Sequence, residues 1–236
     1  RTILISELTH LVGGEFGSSL DIRRWTTTLL NGGTVTVTNG EALVSTNTTA
    51  DGSTILNTNR AGRFLSSNIN RFLGGVRLNN TGNVNNIRKW GLRDISGNNG
   101  LNFQLDATTP GVVTRKAGTD TVITSFNGGN TFVVDTNQHT YEIYISGGKQ
   151  EFYQDGNLIH TITAATSSSV GNFHFRCYYE STNSAGIISN NELILRGQAL
   201  SRLGNSNSRP DFYRSTSNET ITLKVGAGTL HRIVVS

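Results

Sequence analysis

Two-residue alternation, broken at short intervals by turn dipeptides, constrains this chain more than any other feature. Thr34-Val-Thr-Val-Thr38 alternates polar and apolar side chains without a break. Successive side chains of a strand point to opposite faces, so this pattern reads as a half-buried strand. Asn39-Gly40 follows, and a type I′ hairpin turn requires positive φ at both central residues, which Asn and Gly tolerate. Glu41-Ala-Leu-Val-Ser45 then reads as the returning strand. The same grammar recurs in Leu101–Asp106, Gly111–Arg115, Thr121–Thr124, Thr140–Ser146, Gln150–Tyr153, Leu158–Ile162, Asn172–Tyr178 and Glu192–Arg196. Gly147-Gly148 and Asp155-Gly156 read as the turns inside this series. Many short strands at such spacing predict an all-β sandwich or barrel. No long segment carries a 3.6-residue period, so residues 4–12 and 196–203 are expected to form at most a helical turn each.

Composition excludes several other classes. No apolar run nears the ~20 residues of a membrane-spanning helix. The single cysteine, Cys177, cannot form an intrachain disulfide, and in Phe-His-Phe-Arg-Cys-Tyr-Tyr it reads as a small buried hydrophobe. A fold without disulfides fits a reducing compartment. Asn, Thr and Ser make up about a third of the 236 residues, and Ala, Glu, Lys and Leu are too scarce for a coiled coil. Apolar residues are evenly spread and the net charge is only +4, which excludes a disordered chain. Sixteen of the twenty basic residues are Arg. Arg makes planar, bidentate contacts and is favoured at interfaces, so the surface reads as one made for contact.

One boundary is visible. Residues 205–219 are polar and turn-rich and read as a linker. Residues 13–204 are expected to form one sandwich, with 1–12 as an N-terminal tether. Residues 220–236 read as a β-hairpin arm or the start of a further small β-domain. Two strands alone are marginally stable, so the arm is expected to dock on something.

Residues 139–163, from His139-Thr-Tyr-Glu-Ile to Gln154-Asp-Gly-Asn-Leu-Ile-His, resemble the late hairpin of concanavalin A-like jelly rolls. That group includes laminin-G, lectin and laminarinase-type domains, so the resemblance implies an all-β, concanavalin A-like antiparallel sandwich. Lys89-Trp-Gly-Leu-Arg-Asp94, Gly100–Asp106 and Val112-Val-Thr-Arg-Lys116 are similar to a module of tailed-phage and large-virus virion proteins. The tail, Lys224–Val235, is similar to the first hairpin of small β-domains in phage structural proteins. These stretches imply a virion structural role.

Enzymatic chemistry has to be weighed beside that reading, because the jelly-roll group includes glycosidases. Retaining glycosidases need two carboxylates about 5–5.5 Å apart, which the laminarinase-type motif supplies as Glu-x-Asp-x-x-Glu on one strand. Here no Glu occurs between Glu41 and Glu142. In the tens of residues before the His139 strand the acids are Asp94, Asp106, Asp120 and Asp135, none alternating with another acid, and Asp106 is read as a strand-ending turn residue. No Gly-x-Ser-x-Gly elbow is present. Among the five His residues, His160 and His174 are expected on neighbouring strands. No catalytic residue and no metal-ligand set is therefore expected.

Three binding readings remain. The resemblance implies that Ca²⁺ can sit among oxygen-rich rim loops, here Asn79–Asn83, Asp94–Asn99 and Asn183, although no fixed-spacing ligand motif accompanies them; no other cofactor is expected. Residues 60–93 hold Arg60, Arg63, Arg71, Arg77, Arg88, Lys89 and Arg93 and no acid. Strand alternation scatters these over both faces, which argues against a nucleic-acid groove and leaves Arg60, Arg63, Arg71, Arg77 and Arg88 as candidates for subunit contact. Glycan recognition, the usual role of the jelly-roll group, combines an aromatic platform with amide donors; Trp90, Tyr178, Tyr179, Asn98, Asn99 and Asn183 are the candidates. Tyr178 and Tyr179 are adjacent on a strand, so one of them should face outward.

The sequence thus leads to a non-enzymatic phage virion component, a head decoration, fibre or tail-tip protein. It would be oligomeric or lattice-bound, would contact other virion proteins and host-surface glycans but no membrane, and would be assembled in the host cytoplasm. A carbohydrate-binding module for host glycans is the first alternative, and a glycan hydrolase or lyase the second.

Overall fold

The computed structural model describes residues 8–65, 68–146, 148–163, 174–187 and 189–203. These form β1 (Leu8–Gly14), β2 (Trp25–Leu30), β3 (Thr34–Thr38), β4 (Glu41–Ser45), β5 (Ser53–Thr58), β6 (Gly62–Arg63), β7 (Ile69–Leu78) and β8 (Asn86–Asp94). They continue with β9 (Gly100–Asp106), β10 (Thr109–Lys116), β11 (Thr119–Ile123), β12 (His139–Ser146), β13 (Lys149–Gln154), β14 (Asn157–Thr163), β15 (His174–Asn183) and β16 (Glu192–Leu203). The first sheet runs β14-β13-β12-β7-β16-β4-β3, with β1 also on β16; the second runs β11-β10-β9-β8-β15-β5-β2, with β6 also on β15. The architecture is the expected all-β sandwich of two antiparallel sheets.

Burial follows the alternation that the sequence carries. Along β7 every second residue is buried, so Phe72, Val76 and Leu78 face the other sheet while Arg71 and Arg77 face out. The turns behave as their dipeptides require: Asn39 and Gly40 have φ of 52° and 77°, as do Asp155 and Gly156. Between the sheets lies an aromatic cluster. Trp90 stacks on Phe103 at 6.0 Å and meets Tyr141 edge-on at 5.1 Å, and Phe152 meets Phe103 edge-on at 5.4 Å. Such pairs contribute about 0.5–1.5 kcal/mol each beyond the area they bury. Cys177 is fully buried, and burial pushes its thiol pKa up to about 12.

Two local expectations fail. Residues 8–14 and 192–203 are strands, paired with each other from Leu8↔Leu203 to Gly14↔Gln198. Bulges between His10 and Val12 and between Leu195 and Gln198 break the two-residue period, which is why alternation was hard to read there. The tether expected over 1–12 therefore includes five of the seven residues of β1. The linker and arm expected over 205–236 lie outside the described residues.

One end of the sandwich is closed by amides. Asn86 Nδ2 donates to Asn183 Oδ1 at 2.8 Å and to Ser181 Oγ at 3.2 Å, and Thr46 Oγ1 donates to the same Asn183 oxygen at 3.1 Å. Asn183 Nδ2 donates to the carbonyls of Asn47 and Thr49. Arg88, on the core side of β8, is fully buried and donates to the Asn80 carbonyl and Oδ1 at 3.1 and 3.0 Å. Burial without a carboxylate partner lowers its pKa to about 10.

At the start of β12, His139 is held between two carboxylates. Nδ1 meets Asp155 Oδ2 at 2.5 Å and Nε2 meets Asp135 Oδ1 at 2.9 Å. Burial works against the imidazolium, but the bonds to Asp155 and Asp135 outweigh it and raise the pKa. A group with a raised folded pKa contributes stability below its unfolded value of about 6.5 and loses it as pH rises through the folded value. The clamp is partly exposed, so about 1 kcal/mol is expected to disappear as pH climbs above 6.5. Urea unfolding of the wild type and of His139→Gln across this range checks it; an identical slope in both proteins removes His139 from the account.

Candidate functional site

Strand β15 alternates chemistry with packing. Phe175, Cys177, Tyr179 and Ser181 are buried on the core side, so His174, Arg176, Tyr178 and Glu180 belong to the outer face. Register aligns Arg176 with Arg93, Tyr178 with Gly91 and Glu180 with Lys89 on β8. Gly91 is opposite Asn102 and Lys89 opposite Gln104 on β9. Asn102 is opposite Val113 on β10, and Arg115 of β10 is opposite Asp120 of β11. The outer face of the second sheet thus gathers Lys89, Arg93, Arg115 and Arg176 around two carboxylates, Glu180 and Asp120, with Tyr178, Asn102 and Gln104 among them.

Tyr178 is the centre of one cluster. Its hydroxyl donates to Glu180 Oε2 at 2.6 Å and accepts from Arg93 Nη1 at 2.6 Å. The Arg93 guanidinium also lies 3.7 Å from the ring centroid, and its Nη2 is 3.8 Å from Glu180. Burial first, then the charge of Glu180, hold the phenol pKa far above its ordinary range, with Arg93 opposing both. Tyr178 therefore keeps its proton at physiological pH, and in this arrangement shares it with Glu180.

Asp120 is the centre of the other cluster. It accepts from Lys89 Nζ at 2.7 Å and from Arg115 Nη1 at 2.8 Å. Burial acts to raise its pKa, but these two cations lower it overall. Between the clusters sits Asn102, fully buried, with neither its amide nitrogen nor its oxygen bonded to any partner among the described residues. Gly91 separates Asn102 from Tyr178. It takes φ of +152°, and a Cβ there would stand 2.4 Å from the Leu101 carbonyl oxygen, so the row between Tyr178 and Asn102 carries no side chain.

The sheet is curled here. Strands β8 and β11 are separated by β9 and β10, a span of roughly 14 Å in a flat sheet with strands ~4.8 Å apart. The Lys89–Asp120 contact of 2.7 Å closes only if the sheet bends toward its outer face. Register sets Asp120 in the row of Arg115, Gly100 and Arg93, four residues along from the row of Lys89, so the bridge runs diagonally across the intervening row of Asn102 and Val113, both fully buried although they face away from the core.

The residues anticipated for glycan binding fall differently. Trp90 and Tyr179 are corrections: their side chains are 1% and 0% exposed inside the sandwich, because both lie on the inward parity of their strands. Asn183 is buried in the amide network and has no free face. Tyr178 points outward as expected but is 3% exposed, because Arg93 covers its ring. Asn98 is exposed in the β8–β9 loop, and Asn99 donates its backbone and side-chain N–H to Asp94.

The five candidate contact arginines share no face. Arg71 pairs with Glu142 and Arg77 with Glu41 on the first sheet, Arg60 and Arg63 are exposed near β6, and Arg88 is inside. His160 and His174 are on different sheets. The Asn79–Asn83 loop does not suit Ca²⁺, because the Arg88 guanidinium already donates into it. The Asp94 carboxylate is occupied by donors from Ser96 and Asn99. Among the described residues no group of three or more His, Cys, Asp or Glu stands together to hold a metal.

No protein-family model matches the chain, and no curated protein matches it in sequence. Solved structures do match in shape. The catalytic domain of an endo-1,3-beta-glucanase (laminarinase) from Thermotoga petrophila aligns with TM-score 0.63 and 10% identity, over 85% of this chain and all of that one. The Emp47p carbohydrate recognition domain aligns with TM-score 0.58 and 11% identity, over 84% and 95%. The fold is the concanavalin A-like jelly roll. An alginate lyase from Corynebacterium has the same jelly roll, with TM-score 0.54 and 13% identity over 80% of this chain and 99% of that one. Further neighbours are described as a glycoside hydrolase family protein, mucin O-glycanases and beta-glucanases.

These neighbours overturn the reading of a non-enzymatic phage virion component. They are mostly glycan-cleaving enzymes. The strings that suggested a virion module, residues 89–94, 100–106 and 112–116, are β8, β9 and β10 of the jelly roll itself. On the outer face of the second sheet, β15 carries one glutamate, Glu180. Of the residues gathered around Tyr178 that the sequence reading did not single out for this face, Arg176 and Glu180 were visible in the polar stripe 174-176-178-180, whereas Arg93 comes from β8 and only the register brings it there.

Proposed function

We propose that this chain cleaves acidic glycans by β-elimination on the outer face of the second sheet. The observation that carries the reading is the Tyr178–Glu180–Arg93 cluster, with a protonated phenol 2.6 Å from a carboxylate and 2.6 Å from a guanidinium. Elimination from a uronate needs cations on the sugar carboxylate, a base for the proton beside it, and an acid for the leaving oxygen. Arg93 and Arg176 serve the first need. Glu180 takes the proton from C5, the C4–O bond breaks, its electrons leave on the glycosidic oxygen, and Tyr178 protonates that oxygen as the C4–C5 double bond forms. The Tyr178–Glu180 hydrogen bond then returns the proton from carboxyl to phenolate.

Hydrolysis fits the same face less well. It needs a carboxylic acid whose pKa is raised so that it is protonated at work. The excess of cations acts in the opposite direction, and Asp120 is lowered by Lys89 and Arg115. The alginate lyase among the neighbours supports elimination on this fold, and the Emp47p domain supports recognition without cleavage as a second reading.

Incubation with alginate, polygalacturonate and laminarin separates the readings. Elimination is expected to give new reducing ends together with the ultraviolet absorbance of a conjugated uronate double bond, from the acidic polymers only. Reducing ends from laminarin without that absorbance would establish a hydrolase instead. Binding with neither product would establish the recognition reading.

A further inference from the structure

Asp120 is held as a ligand would be. Lys89 lies directly across from Glu180 in the register, yet its amine reaches over two strands to Asp120. Arg115 donates to the other oxygen of the same carboxylate at 2.8 Å. Two cations converging on one carboxylate are the arrangement by which a protein binds a carboxylate-bearing sugar. Beneath the bridge lies Asn102, fully buried with a complete amide unpartnered. A buried amide without partners costs free energy, on the order of 1–3 kcal/mol. Closing the bridge over Asn102 is therefore unfavourable for Asn102, and opening it brings that amide a partner.

We infer that Asp120 is an internal stand-in for the substrate's carboxylate. In the closed form Lys89 and Arg115 hold Asp120 and cover Asn102. A uronate carboxylate replaces Asp120 on Lys89 and Arg115, the lysine side chain lifts, and Asn102 hydrogen-bonds the sugar. The pair Lys89–Arg115 is then a carboxylate subsite, and the Asp120 latch selects for acidic sugars because a neutral sugar offers nothing to displace it. This inference rests on the acidic-glycan reading, and its test distinguishes the two.

The test is calorimetric titration of wild type, Asp120→Asn and Asp120→Ser with a hexamer of mannuronate, a hexamer of galacturonate and neutral laminarihexaose. Removing the internal competitor is expected to tighten binding of an acidic hexamer about tenfold, the scale of one charge pair, and to leave the neutral one unchanged. The side-chain amide signal of ¹⁵N-labelled Asn102 is expected to shift on addition of the acidic hexamer to wild type, a readout that needs no variant to fold. Binding by wild type that neither substitution strengthens, with a static Asn102 signal, overturns the latch and leaves the function standing. No binding of an acidic hexamer by any of the three proteins overturns both. Circular dichroism of each variant identifies one that has unfolded, and the other substitution and the Asn102 signal then decide.

Discussion

Replacing Tyr178 by Phe is expected to lower turnover of an acidic glycan by about 10²–10⁴-fold, the range for removing a positioned general acid. The substitution deletes one oxygen and keeps the ring that packs under Arg93. It leaves Glu180 without its 2.6 Å donor, but Arg93 Nη2 is already 3.8 Å away and can close that distance. Fold and substrate affinity should therefore survive. Because the phenol acts on the leaving oxygen, its loss should appear in kcat with KM nearly unchanged. Its raised pKa makes a second statement: the alkaline limb of the rate profile should not arise from Tyr178 below pH 10, since burial and Glu180 keep the phenol protonated there. A Tyr178→Phe enzyme that turns over at the wild-type rate would assign the proton donor to another residue. Unchanged kcat with a large rise in KM would make Tyr178 a binding residue only.

Much of this architecture was legible in the chain, and the reason is physical. Alternation along β3, β7 and β12 states which side chains are buried, and the Asn39-Gly40 and Asp155-Gly156 turns state where the chain reverses. Local rules failed where pairing is irregular. Strand β16 pairs β4 through Glu192–Leu195 and then β1 through Gln198–Leu203, and the bulge between the two halves erases its period. The site was harder to read than the fold because it is assembled from five strands, β15 and β8 to β11. Arg115 and Asp120 face each other across one hairpin, but Lys89 and Asn102 join them from β8 and β9 only through register and curl, which no single segment states. The part that was legible is the stripe on β15: Phe175, Cys177 and Tyr179 are apolar and inward, so Arg176, Tyr178 and Glu180 had to share the other face. Searching for two glutamates on one strand, as a hydrolase would carry them, obscured a face whose chemistry is cationic.

Trp90→Ala is expected to destabilise the protein by about 3–5 kcal/mol, the range for truncating a buried aromatic. Trp90 is 1% exposed and packs against Phe103, Phe132 and Tyr141 from both sheets, so the vacated volume lies where the two layers meet. Collapse into it is restricted, because Phe103 and Tyr141 are themselves pinned by β9 and β12 pairing. For a chain of this size the melting temperature should fall by roughly 10–15 °C. Trp90→Phe keeps one ring and removes an indole N–H that has no partner, so it should cost markedly less. The comparison separates the two roles a tryptophan on β8 can have. A sugar-stacking residue loses affinity on truncation and keeps its stability; a core residue does the reverse. Urea unfolding of both variants, with binding of an acidic hexamer measured well below the new melting temperature, gives the answer. Stability within 1 kcal/mol of wild type, together with lost binding, would return Trp90 to the surface and undo the inward parity of β8 on which Lys89 and Arg93 are placed outside.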